Sequence, residues 1–161
     1  MLEEHTLDAK AHDRAGFDCG EPLLNDFLRR YAVQQAGKGV TSTFVAVDDS
    51  QPSKILGFYS LSATQIDVQQ LSDAERARLP RYPVPCFRMG RLARSFDARG
   101  TGMGEVLMGL AVDRCLKAKA HVDAYALLVD AKHAQTKAFY ERYGFIACAD
   151  APLTLYLPLG A

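Results

Sequence analysis

A chain of 161 residues and 17.7 kDa, 48% hydrophobic and 24% charged, is long enough to bury roughly two-thirds of its unfolded surface as one domain over residues 1–161. Its formal net charge of zero argues against a uniformly basic nucleic-acid binder. No apolar run is long enough to span a membrane and no cationic signal peptide is visible, so the cytoplasm is the expected location. Cys19, Cys86, Cys115 and Cys148 lie far apart, and His5, His12, His121 and His133 lack ligand spacing, so free thiols and no metal are expected.

Leu2 to Leu7 suits a short first strand. Pro22 opens a helix running to about Gln35, with Leu23, Leu24, Phe27, Leu28 and Tyr31 on one face and Gly37 and Gly39 beyond its end. Thr43 to Val47 and Ile55 to Ile66 read as an antiparallel hairpin. Leu71 to Leu79, acidic early and closed by Pro80, suits a short helix, and Pro83 and Pro85 stiffen the approach to a strand over Cys86 to Arg94. A helix from Met103 carries Leu107, Leu110, Ala111 and Cys115 at helical spacing. Ala124 to Val129 is a near-continuous apolar run, which predicts a buried strand parallel to its predecessor across that helix. A last helix over His133 to Tyr143 should stop at Gly144 in the left-handed region with Phe145 folding back, and Leu153 to Leu159 supplies a closing strand. The pattern predicts one mixed sheet with helices on both faces.

Arg99-Gly100-Thr101-Gly102-Met103-Gly104-Glu105 joins a strand to a helix through three alternating glycines. Without Cβ atoms there, an anion can approach the unpaired N–H groups and positive dipole end of the helix, as a pyrophosphate would. A tight connection also needs glycine for geometry alone. The string is neither a P-loop nor a dinucleotide fingerprint, whose third glycine would stand at Glu105.

Arg76, Arg78, Arg81, Arg88, Arg91, Arg94 and Arg99 stand with one acid, Asp97, over that span. A solvated face and a phosphate-rich partner both account for such a cluster; arginine's planar fork favours the second.

The strings Arg99 to Gly104 (Arg-x-x-Gly-x-Gly) and Phe139-Tyr140-Glu141-Arg142-Tyr143-Gly144-Phe145 resemble two motifs of the GNAT acetyltransferase superfamily. Phe17-Asp18-Cys19-Gly20, Leu24-Asn25-Asp26-Phe27-Leu28, Gly57-Phe58-Tyr59-Ser60-Leu61, Pro83-Val84-Pro85 and Arg91-Leu92-Ala93 narrow the likeness. Together, from Phe17 to Leu159, they resemble the TacT/AtaT-like GNAT toxins of bacterial type II toxin–antitoxin modules. Two residues depart from the pattern, Arg94 where an apolar residue is frequent and Arg99 where many relatives carry Gln; both keep a donor near the phosphates.

This resemblance implies an α/β (α+β) GNAT fold whose mostly antiparallel sheet has splayed central parallel strands. It implies acetyl-CoA as co-substrate, with backbone N–H groups of Leu92, Ala93 and Arg94 on the acetyl carbonyl. Arg99, Gly100, Thr101, Gly102, Met103, Gly104 and Glu105 would hold the pyrophosphate. Tyr140, ordinarily titrating near ~10, would stay protonated and donate to the departing sulfur. The implied reaction acetylates the α-amino group of aminoacyl-tRNA and blocks translation, and a ribbon-helix-helix antitoxin neutralises it. Arg78, Arg81, Arg88 and Arg91 would contact the tRNA, and a homodimer is a further allowed association. No motif positions a histidine or carboxylate as base, which suits an α-amine titrating near ~8 over a lysine near ~10.4, a difference of roughly 3 kcal/mol at neutral pH. A small amine or a protein amine as acceptor, or a non-catalytic acyl-CoA module, are the alternatives.

Overall fold

The computed structural model describes residues 1–160. Among these, seven strands are formed: β1 (Leu2–Thr6), β2 (Ser42–Asp48), β3 (Gly57–Ile66), β4 (Val84–Arg94), β5 (Ala126–Asp130), β6 (Ile146–Ala147) and β7 (Thr154–Pro158). They follow the sheet order β1-β2-β3-β4-β5-β7-β6. The α-helices are α1 (Pro22–Asp26), α2 (Ala32–Gly37), α3 (Asp73–Arg78), α4 (Met103–Lys119) and α5 (Ala134–Arg142). Two compact units are distinguished, Met1–Ser62 with Gly90–Ala111, and Ala63–Met89 with Val112 onward.

In the first unit β1, β2 and β3 pair antiparallel, with Thr6 opposite Phe44 and Phe44 opposite Tyr59. Their apolar face, with Val45, Val47 and Phe58, packs on Phe17, Phe27, Leu28 and Ala93. Gly57 allows a close approach here, because a Cβ would stand 2.7 Å from Leu107 Cδ1 and 3.0 Å from the Ala93 carbonyl oxygen.

The helix predicted from Pro22 is interrupted. Phe27–Tyr31 form a π-helical turn between α1 and α2, with the Ala32 N–H reaching the Phe27 carbonyl. The wider turn lets Phe27, Leu28 and Ala32 all be buried, which a uniform 3.6-residue period distributes over a broader arc.

In the second unit β4 and β5 pair parallel, as predicted, from Cys86↔Ala126 to Met89↔Val129. β5 then pairs antiparallel with β7, and β7 with the two-residue β6, which is too short to leave a periodic signal. Val84, Cys86, Ala126, Leu128, Cys148 and Tyr156 form this unit's core. The short helix α3 starts two residues later than predicted, with the Ser72 hydroxyl capping the Glu75 N–H at 3.4 Å. All four cysteines are free thiols.

Candidate active site

The glycine turn follows from β4 through a short 3₁₀ turn, Phe96–Ala98, capped by the Ser95 hydroxyl. The Thr101 N–H and hydroxyl both donate to the Ala98 carbonyl, at 3.3 and 2.5 Å. Gly100 (φ +75°) and Gly102 (φ +78°) lie in the left-handed region. A Cβ at Gly100, Gly102 or Gly104 would meet no atom within 4 Å, so packing does not demand these glycines. The bonds of α4 begin with the Val106 N–H on the Gly102 carbonyl at 3.1 Å. The N–H groups of Met103, Gly104 and Glu105 precede that ladder and point out of the helix start. The turn therefore leaves backbone donors open to approach at a positive dipole end, which fits a pyrophosphate. Arg99 is held beside it, its guanidinium carbon 4.6 Å from the Phe96 ring centre and its Nε donating to the Phe96 carbonyl at 3.1 Å.

The parallel ladder ends at Met89↔Val129, while β4 continues to Arg94. Leu92, Ala93 and Arg94 thus lie on strand backbone beyond the β5 pairing. Ala93 is buried, Leu92 partly so, and Arg94 exposed.

Tyr140 is buried on α5, between Phe139 and Phe145 with ring centroids at 5.3 Å from each. Burial, and then the negative charge of Asp130, push its phenol up to about 12. Tyr140 turns inward while Tyr143 is exposed, and Gly144 (φ +92°) reverses the chain, as predicted, and seats Phe145 on Tyr140. His133 caps the helix, its Nδ1 accepting the Thr136 N–H at 3.4 Å.

The arginine cluster does not present uniform free charge. Arg76 pairs with Asp73, Arg78 with Glu75 at 2.8 Å, and Arg88 with Asp130. These acids lie outside the Arg76 to Arg99 window or on facing elements, which is why the local count overstated the excess. Arg81 is exposed at the rim of a groove of about 400 Å³ lined also by Val68, Gln69, Asp73, Arg76 and Ala77. Arg91 is partly buried over the Phe27 ring.

The acetyltransferase (GNAT) domain family matches residues 81–153, the stretch holding β4, the glycine turn and Tyr140. A tRNA-acetylating toxin of Mycobacterium tuberculosis (strain ATCC 25618 / H37Rv) is 33% identical over 147 residues, covering 91% of this chain and 86% of its own length. This chain belongs to the GNAT acetyltransferases. The structure of AtaT complexed with acetyl-methionyl-tRNAfMet superposes with a TM-score of 0.91 at 26% identity, covering 98% of this chain and 95% of that one. A mutant AtaT toxin bound to the C-terminus of the antitoxin AtaR and acetyl-CoA gives a TM-score of 0.82 at 26% identity, covering 98% and 93%.

Two features of this GNAT acetyltransferase escaped sequence reasoning. Asp130 ends β5, accepting from the Thr154 hydroxyl at 2.9 Å and from Arg88, and so links β4, β5 and β7 where their ladder stops. Only its place at the end of an apolar run could have marked it. Phe17-Asp18-Cys19-Gly20, a string that the sequence marks without a role, anchors the 3₁₀ turn that leads into the glycine turn. The Asp18 carboxylate accepts from the Gly20 N–H and the Asn25 amide, both at 2.9 Å, while the Asp18 carbonyl accepts the Phe96 N–H at 2.9 Å. Gly20 (φ +88°) lies so near Phe96 that a Cβ would stand 2.4 Å from Cζ of its ring. Among the described residues no group of three metal-ligating side chains is gathered, and no helix is long and apolar enough to cross a membrane.

Proposed function

We propose that this chain transfers acetyl from acetyl-CoA to the α-amino group of aminoacyl-tRNA, and is the toxin of a toxin–antitoxin module that arrests translation. The observation that carries the reading is the 33% identity, over 91% of the chain, to a relative that is itself a tRNA-acetylating toxin. The open glycine turn and the buried phenol supply the chemistry such a reaction needs.

Acetyl-CoA supplies the acyl group as a thioester. The backbone N–H groups of Gly100, Gly102, Met103, Gly104 and Glu105, with Arg99 and Thr101 alongside, hold its pyrophosphate. Backbone N–H groups of Leu92, Ala93 and Arg94 polarise the carbonyl and stabilise negative charge on its oxygen. Tyr140 donates a hydrogen bond to the departing sulfur. A phenol at about 12 does not surrender its proton to an ordinary thiolate near ~8.5, since that transfer is uphill by roughly 5 kcal/mol. Tyr140 therefore stabilises the sulfur without ionising, and the proton lost by the attacking amine leaves through water. This suits an acceptor whose amine gives up its proton far more readily than a lysine does, as an α-amine near ~8 would.

Arg81 contacts RNA phosphate most freely, with Arg78 and Arg88 engaging it through their ion pairs. A ribbon-helix-helix antitoxin, association of two copies, a cytoplasmic location and the reading of residues 1–161 as one acetyltransferase domain rest on the family resemblance. In cell-free translation the purified chain should arrest synthesis only when acetyl-CoA is supplied. Arrest of equal depth without acetyl-CoA, or none with it, contradicts the proposal.

A further inference from the structure

Arg91 stands in the part of β4 beyond the parallel ladder, one residue before Leu92. Its guanidinium carbon lies 3.7 Å from the centre of the Phe27 ring, and burial alone lowers its pKa. Among the described residues no carboxylate pairs with it, whereas Arg88, three residues earlier, pairs with Asp130. A partly buried cation without a counter-charge is costly to keep, and an apolar side chain would fill the same place over Phe27. The stack covers one flat face of the guanidinium and fixes its plane, which leaves the N–H donors along its edge oriented and unused. Such a fork is prepared for an oxyanion that arrives from outside the chain.

The acceptor's chemistry narrows which anion this is. In an aminoacyl ester the amino acid's carboxylate has been consumed by the ester bond. The anions nearest the reacting amine are then the phosphodiesters of the terminal nucleotides.

We propose that Arg91, held flat on Phe27, is the phosphate fork for the terminal nucleotides of the acceptor, placing the amine by gripping the RNA next to it. The inference rests on aminoacyl-tRNA being the acceptor.

The test compares two acceptors with the whole protein: an aminoacylated RNA minihelix, and an aminoacyl-adenosine that carries no phosphate. Arg91→Met should lower kcat/KM for the minihelix by about 10-fold or more, the loss typical of a charged hydrogen bond. Its loss on aminoacyl-adenosine should be several-fold smaller, and acetyl-CoA affinity should be kept. Arg91→Lys should recover part of the loss. Phe27→Leu, which keeps the charge and much of the packing, should shift the minihelix-to-adenosine ratio in the same direction and serves if Arg91→Met does not fold. Equal losses on both acceptors, unchanged activity, or weakened acetyl-CoA binding would overturn the fork while leaving the proposed function standing. Wild-type protein that acetylates neither acceptor would overturn that function and the fork with it.

Discussion

The Phe145 ring lies 5.3 Å from the Tyr140 ring, and the Phe145 N–H meets the Tyr140 carbonyl at 3.3 Å. One reversal at Gly144 thus ends α5 and also walls the phenol away from water. The motif Phe-Tyr-x-x-x-Gly-Phe is in this sense a single device, in which the glycine turns the chain and the second phenylalanine packs on the ring of the tyrosine.

Tyr140→Phe removes the hydroxyl and keeps the ring packing. Turnover should fall about 10²-fold or more with acetyl-CoA affinity nearly unchanged, read by steady-state kinetics and calorimetry. Because the phenol is pushed up to about 12, wild-type activity should show no loss attributable to its ionisation up to pH ~10.

Gly104 offers the cleanest probe of the phosphate cradle. It has no positive φ and a Cβ there meets open space, so Gly104→Val should fold normally by circular dichroism yet lose acetyl-CoA binding in calorimetry. Gly102→Ala should bind poorly too, and additionally lose about 1–2 kcal/mol of stability because φ is +78° there.

These two sites show how differently parts of the molecule are written in the sequence. The turn at Arg99 to Glu105 and the helix after it are local, so glycine spacing and a 3.6-residue period reveal them. The parallel pairing of β4 and β5 follows from an apolar run across a helical crossover. The π turn at Phe27–Tyr31 has no period of its own, and Asp130's link between Arg88 and Thr154 joins residues that only the sheet brings together. The acid that pairs with Arg88 is hidden for the same reason, whereas Glu75, three residues before Arg78 on α3, lies only outside the stretch from Arg76 to Arg99.

Arg81 and Arg88 should therefore behave differently. Arg81→Gln should reduce the salt slope of charged-tRNA affinity by about 1, as one phosphate contact is lost. Arg88→Gln should change that slope less but lower the melting temperature, because it takes the cation away from Asp130 and leaves that carboxylate with the bond from the Thr154 hydroxyl.

Alkaline stability follows from three buried acids. Burial raises Cys86 to about 11, Cys115 to about 12 and Tyr140 to about 12. The folded state holds these protons more tightly than the unfolded chain. Their contribution is therefore fully present below the unfolded values, 9.0 for the thiols and 10.0 for the phenol, and is lost as pH rises toward the folded ones. The melting temperature should fall steadily from pH ~9 to ~11. In Cys115→Ala the fall, measured from that variant's own value at pH 7, should be shallower.

The central claim is tested most directly by following labelled acetyl from acetyl-CoA into a pool of charged tRNA, with deacylated tRNA, spermidine and peptide amines in parallel. Label should appear on charged tRNA, be released as N-acetyl-amino acid when the ester is hydrolysed, and be absent from deacylated tRNA. Label on peptides or polyamines but never on charged tRNA would contradict the account and leave an acetyltransferase of another acceptor.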